Sequence, residues 1–225
     1  MATIFTVFLE KFKFFANFIA IPLTDNMMIN ENARPQFCIA LGCSAGGLEA
    51  VCTFFQQITE KTGAAFVVIP HLTREHPSKF AEILSKFTHM PIHRVTDTKH
   101  LEQDNIYVLI EDKMMVVEEH HLKVRRRYTR EIINKSIDIF FKSMAKCYRE
   151  NAIGVILSGM GTDGIEGIKT IEDYHGLVIV QDPESTEFNI LPQTAILKDD
   201  PHAILPPADI ARFLVRYLKN DSIMS

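Results

Sequence analysis

The chain is poor in the residues that would make it a disulfide scaffold, a metal centre or a nucleic-acid binder. Its 225 residues include four cysteines, Cys38, Cys43, Cys52 and Cys147. No two form a C-x-x-C pair, so reduced, mostly buried thiols in a cytoplasmic protein are expected. Basic residues are outnumbered: 24 Lys and Arg against 28 Asp and Glu give a net charge of −4. That balance argues against a nucleic-acid partner. The nine histidines are scattered. His71 with His76, or His89 with His93, are spaced loosely enough for ligation, but no cysteine or carboxylate cluster completes a metal set. There is no internal repeat and no low-complexity stretch. A long uninterrupted apolar run is also missing. Residues 1–23 carry Phe5, Phe8, Phe12, Phe14, Phe15 and Phe18, but Glu10, Lys11 and Lys13 break the run. Neither a transmembrane segment nor a cleaved leader is expected from it. The stretch reads either as an amphipathic helix for a membrane surface or partner, or as sequence upstream of a start at Met27 or Met28. Residues 26–36 read as linker, with Pro35 near its end.

What is present is an alternation of apolar runs and helical periodicity. Residues 37–41, 64–70, 92–95, 106–109, 152–157 and 177–180 read as strands, several apolar at every position. Residues 77–87, 137–148, 165–174 and 210–218 read as helices, and 113–127 as a β-hairpin with arms 115–118 and 121–125. This order predicts an α/β fold: a doubly wound, mainly parallel sheet with helices on both faces, Rossmann-like and three-layered, plus the small hairpin. One domain of this length buries about 70% of its unfolded surface.

The most informative run is residues 37–58, FCIALGCSAGGLEAVCTFFQQI. Gly42-Cys43-Ser44-Ala45-Gly46 is a G-x-S-x-G string with a strand before it. A helix follows, with Leu48, Val51, Cys52, Phe55 and Ile58 on one face, which is the context a nucleophile elbow needs. Glycines permit the sharp turn, and the helix N-terminus aims free N–H groups at developing negative charge. Ser44 therefore reads as a nucleophile. The bland reading is a glycine-rich helix entry with Ser44 as its cap, or a cradle for phosphate.

A serine hydroxyl needs a base, and the base a carboxylate behind it. In open α/β sheets, ligands sit beyond the carboxyl ends of the strands. Ser44, His71 and Asp163 all fall at such ends. Two rivals stand beside this set. Gly159-Met160-Gly161-Thr162-Asp163-Gly164 is a literal G-x-G-x-x-G with Asp182 after the next strand, as in a dinucleotide site. Its place in the last third of the chain and the acid inside it count against that reading. The second rival is His202, which lies downstream of Asp163, where an α/β-hydrolase carries its base; it ranks below His71 because no clear strand end leads into it. The basic run 123–127 with Arg130 reads as a solvated hairpin or a patch for an acidic partner.

Taken together, ALGCSAGGLEAV, VVIPHLTREHPSKFAEIL and GVILSGMGTDGIEGIKTI resemble the catalytic domain of the chemotaxis protein-glutamate methylesterase family (CheB type), over residues 37–218. KSIDIFFKSMA, GLVIVQDPES and Pro192-Gln193-Thr194-Ala195-Ile196 add support. The resemblance implies hydrolysis of glutamate γ-methyl esters on cytoplasmic helices of a chemoreceptor or similar signalling protein, releasing methanol. It implies a Ser44, His71, Asp163 triad with Ala45 and Met160 as oxyanion or substrate positions, no metal and no cofactor. A cognate methyltransferase would be the functional counterpart. It divides the chain into an extension or linker, residues 1–36, and a catalytic domain, residues 37–225. Family members ordinarily carry a receiver domain ahead of the esterase, and ~100 or more residues are typical of a domain. The chain is therefore expected to act as a stand-alone domain without phosphorylation control in cis, always open or gated by a partner. Asn189-Ile190-Leu191-Pro192 departs from the usual Gly-Met-Pro.

Overall fold

The computed structural model describes residues 34–74 and 77–224. The readings of residues 1–33, and of His76, lie outside that range. Within it the order is β1 (Cys38–Cys43), α1 (Gly47–Phe55), β2 (Ala65–Pro70), α2 (Phe80–Leu84), β3 (Ile92–Val95), β4 (Lys99–His100), β5 (Ile106–Leu109), β6 (Lys113–Glu118) and β7 (His121–Arg126). It continues with α3 (Ser136–Tyr148), β8 (Ala152–Ile156), α4 (Ile165–Asp173), β9 (Leu177–Gln181), α5 (Ile190–Lys198), β10 (Ala203–Leu205) and α6 (Pro207–Met224).

Seven strands form one sheet in the order β10-β9-β8-β1-β2-β5-β3, and every neighbouring pair is parallel. Every residue of β1, β2, β5, β8 and β9 is buried, because parallel strands covered on both faces need apolar side chains at odd and even positions alike. Ile39, Leu41, Phe66 and Val68 pack with Phe54 and Phe55 of α1 and with Ile210 and Leu214 of α6. Ala40, Val67 and Ile69 point the other way, towards Phe140 and Phe141 of α3, Ile168 of α4 and Leu191 of α5. The three layers expected from the sequence are thus present. The expected hairpin is also there, and β4 joins its second arm to make a three-stranded antiparallel sheet in the order β4-β7-β6. That small sheet is tied to α3, where Val117 N–H donates to Ser143 Oγ (3.0 Å).

Two features of this frame set up a site. From β1 the chain steps to β2 on one side and later returns through β8 to the other, so the strand order reverses at β1. A crevice opens beyond the carboxyl ends at such a switch point. The first turn of α3 also sits directly on the end of β1. A Cβ on Gly42 would lie 2.5 Å from Ile137 Cγ2, so any larger residue there would push the helix off.

The sequence reading overran one helix and missed three elements. Residues 77–87 hold only the short α2, and β4, α5 and β10 had no signal of their own. The closing helix α6 is longer than residues 210–218.

Candidate active site

β1 ends at Cys43 and α1 begins at Gly47, leaving Ser44, Ala45 and Gly46 to make the turn. The turn differs from an elbow in one respect. Its left-handed residue is Gly46 (φ 72°), and Ser44 is not among the described non-glycine residues with positive φ. The strain an elbow stores at its nucleophile has moved to the one position without a Cβ, where a methyl would meet the Phe188 ring at 2.6 Å. No side-chain cap bond forms at the start of α1, so Ser44 is not spent as a helix cap. Its N–H donates to Ser158 O (2.9 Å), and Gly47 N–H donates to Ser44 O (3.0 Å). The turn is therefore clamped from both sides, while among the described residues the hydroxyl makes no hydrogen bond.

The same bonding pulls the two neighbouring strand ends in. His71 N–H donates to Cys43 O (2.8 Å), and Leu157 N–H donates to Gly42 O (2.9 Å). Gly159 lies so near Ser44 that a Cβ on it would stand 3.0 Å from Ser44 Cβ and 2.9 Å from Leu191 Cδ2. Ser44, His71 and Asp163 line one cavity of about 220 Å³, together with Ile133, Lys135 and Thr162. Ser44 and His71 also border a second cavity of about 540 Å³, whose apolar wall includes Leu48, Phe80, Ile83 and Phe87. Among the described residues no hydrogen bond joins Ser44 to His71 or His71 to Asp163. Such bonds are commonly long in unliganded sites and tighten around the substrate.

His71 is exposed, Ser44 half-buried, and Asp163 only 9% exposed. The Asp163 carboxylate is fixed by the N-terminus of α3: Oδ2 accepts from Ile137 N–H (3.0 Å) and Oδ1 from Asp138 N–H (3.0 Å). Burial, with the neighbouring Asp138 charge, holds its pKa above the ordinary carboxylate range, while these two bonds and His71 pull it back part of the way. Helix N-terminal N–H groups favour the charged form.

Asp138 answers from the other direction. Its Oδ1 accepts from Gly164 N–H (2.9 Å) and Gly167 N–H (3.0 Å), capping α4, and its Oδ2 lies 3.1 Å from Lys135 Nζ. Two acids therefore cap each other's helices. The sequence reading missed Asp138. The available signal was an acid set among Ile137, Phe140 and Phe141 on an otherwise inward-facing helix stripe. This capping also bears on the dinucleotide reading: the N–H groups at the start of α4, where a pyrophosphate would sit, already hold a carboxylate.

Met160 is 56% exposed and Ala45 half-buried in the turn. Among the described residues nothing accepts from the N–H of either. Cys43, next to the serine, is fully buried, and burial pushes its thiol up to about 12, so it stays protonated and is no rival nucleophile. His202 sits at the opposite end of the sheet, just before β10. Its N–H donates to Val178 O (2.9 Å) and its Nδ1 accepts from Val178 N–H (3.2 Å). Parallel strands put all carboxyl ends on one edge, so a residue at an amino end cannot reach Ser44. Among the described residues no group of three His, Cys, Asp or Glu could hold a metal ion.

Fold and site together define a doubly wound α/β protein with serine, histidine and aspartate gathered at its switch point. The family model of CheB methylesterases matches residues 39–214, and the chain belongs to that family. A Leptospira interrogans relative, provisionally named protein-glutamate methylesterase/protein-glutamine glutaminase, is 27% identical over 81% of this chain and 95% of its own length. A protein-glutamate methylesterase/protein-glutamine glutaminase of Shewanella denitrificans is 32% identical over 80% of the chain and 52% of itself. One from Pseudomonas syringae pv. tomato is 30% identical over 81% and 54%. The chain thus spans nearly all of the first relative and about half of the other two. The crystal structure of the Thermotoga maritima CheB methylesterase catalytic domain superposes with a TM-score of 0.72 at 20% identity, covering 80% of this chain and 98% of that one; it shares the fold. No helix among the described residues is long and apolar enough to cross a membrane.

Proposed function

We propose that residues 37–225 form a catalytic domain that hydrolyses glutamate γ-methyl esters on a chemoreceptor or related signalling protein. Ser44 is the nucleophile, His71 the base and Asp163 the orienting carboxylate. The observation that carries this reading is the meeting of all three in one cavity at the ends of β1, β2 and the loop after β8, in a chain of the methylesterase family.

Ser44 Oγ attacks the ester carbonyl carbon as His71 takes the hydroxyl proton. The carbonyl oxygen becomes an oxyanion and is met by the free N–H groups of Ala45 and Met160. Collapse breaks the bond to the methoxy oxygen, which leaves as methanol with the proton from His71. Water then attacks the acyl carbon, again losing its proton to His71, and frees glutamate and Ser44. Asp163 acts through its ionised form, steadying the imidazolium and fixing its tautomer. With each oxygen already holding one helix N–H, the carboxylate cannot swing away, and a second lone pair on each remains for His71. The chemistry needs neither metal nor cofactor.

A methyltransferase would supply the ester this enzyme removes. The four free cysteines fit the reducing cytoplasm where such receptor helices lie. The test is methanol release from methyl-labelled receptor membranes. Wild type should release it and Ser44→Ala should be slower by several orders of magnitude, ~10⁴ or more. Equal release by both proteins would refute the assignment.

A further inference from the structure

A further cavity, of about 620 Å³, is lined from α1, from the ends of β8 and β9 and from the start of α6; neither Ser44 nor His71 lines it. One wall residue is Ser158, which is 1% exposed and whose hydroxyl oxygen has no hydrogen-bond partner among the described residues. A buried hydroxyl left unpaired carries a desolvation cost that a bound polar group would recover. Its position is fixed from below. Ser158 N–H donates to Gln181 Oε1 (2.8 Å), Gln181 is itself 1% exposed, and its Nε2 donates to Ser185 Oγ (3.0 Å). The hydroxyl lies close to Gly46, another wall residue, where a Cβ would stand 3.3 Å from it.

The charge of the wall has one sign. Glu49 of α1 and Glu184 and Glu187, between β9 and α5, line the cavity, and among the described residues no Lys, Arg or His does. All three carboxylates are exposed, and among the described residues none is in an ion pair. They do not converge on a point: among the described residues no three His, Cys, Asp or Glu could hold a metal ion. Much of the remaining wall is apolar, with Ala50, Pro206, Pro207 and Phe188, the last 38% exposed. Dispersed negative charge on an apolar wall suits positive charges separated by methylene groups, and an aromatic face attracts an ammonium.

We propose that this cavity binds a linear aliphatic polyamine. Its ammonium groups pair with Glu49, Glu184 and Glu187, one of them donates to Ser158 Oγ, and its methylenes lie on Phe188 and the two prolines. A compact divalent cation would find no ligand set here, and an anion would meet only carboxylates. The inference goes beyond the esterase reading and does not depend on it, because no residue of the proposed triad lines the cavity.

The test is calorimetric titration of the full chain with spermidine, at fixed ionic strength so that screening stays constant. Wild type should bind one equivalent. Ser158→Ala should weaken binding ~5-fold, the effect of losing one hydrogen bond. It should not lower the melting temperature of the free protein, because the hydroxyl has no protein partner to lose. Glu184→Gln combined with Glu187→Gln should weaken binding ~10-fold, the effect of losing two exposed ion pairs. Asp173→Asn combined with Asp200→Asn, which removes charge from the acidic cluster around Glu172, should stay within about 2-fold of wild type. Magnesium chloride at the concentration of the spermidine should not displace it. No heat with wild type overturns the site. So does an affinity unchanged in either cavity variant. An equal loss in the Asp173 and Asp200 variant also overturns it, since binding would then be a diffuse response to the net charge of −4. Methanol release enters none of these readings, so failure of the esterase assignment leaves them intact.

Discussion

Two of the places where the described residues bring a histidine near carboxylates differ in everything that matters for chemistry. At the carboxyl edge, His71 is exposed and shares a cavity with a serine hydroxyl that bonds to nothing among the described residues, and with Asp163, which two helix N–H groups lock in place. At the amino edge, His202 spends Nδ1 on the backbone of Val178, and its nearest carboxylate oxygen, on Glu172, is 3.9 Å away. There the acids crowd one another. Glu172 is pushed up to about 7 by burial, a hydrogen bond to Asp199, and the charges of Asp199, Asp200 and Asp173. A histidine near an acid is thus common. A histidine that shares a cavity with a fixed acid and a serine hydroxyl is the arrangement the proposed chemistry needs.

Removing the hydroxyl should have the largest effect, and Ser44→Ala is expected to cost ~10⁴-fold or more in methanol release with an unchanged melting temperature. Asp163→Asn comes next. It should lower kcat ~10³-fold or more, since the wrong imidazole tautomer is then favoured. It should also cost about 1 kcal/mol in urea unfolding, because one oxygen that caps α3 becomes an amide.

Gly46→Ala tests the turn that carries Ser44. The left-handed backbone alone costs about 1–2 kcal/mol, and the Phe188 ring must also move. Loss of activity should exceed the loss of fold, read by kcat against the unfolding midpoint.

The smallest effect belongs to the amino edge. An acid whose folded pKa is raised stabilises the fold at low pH, and that contribution is lost as pH rises through the folded value. For Glu172 the loss should run from about pH 4.5 to somewhat above about pH 7, and Glu172→Gln should flatten the fall in melting temperature over that window. A flat wild-type profile from pH 5 to 8 would contradict the crowding.

Much of this arrangement was legible in sequence, and the illegible parts share a cause. Strands apolar at every position, such as AFVVIP and LVIVQ, announce a sheet covered on both faces, and the G-x-S-x-G string between strand and helix marks Ser44. β10 is three residues long and not buried, β4 has two residues, and α5 carries Pro192 in its first turn with apolar residues on several faces. None offers a period to read. Asp163 was visible at a strand end. Its role as the cap of α3, and the answering role of Asp138, depend on contacts across 25 to 29 positions, which local pattern does not encode. The bond that clamps the Ser44 turn likewise comes from Ser158, far along the chain.

In the proposed reaction the carboxyl-edge histidine, not the amino-edge one, does the chemistry. His71→Ala and His202→Ala in the same methanol-release assay test it most directly. His71→Ala should lose ~10³-fold or more in kcat, and His202→Ala should stay within about 2-fold of wild type. An active His71→Ala protein, or a dead but folded His202→Ala protein, would contradict the account.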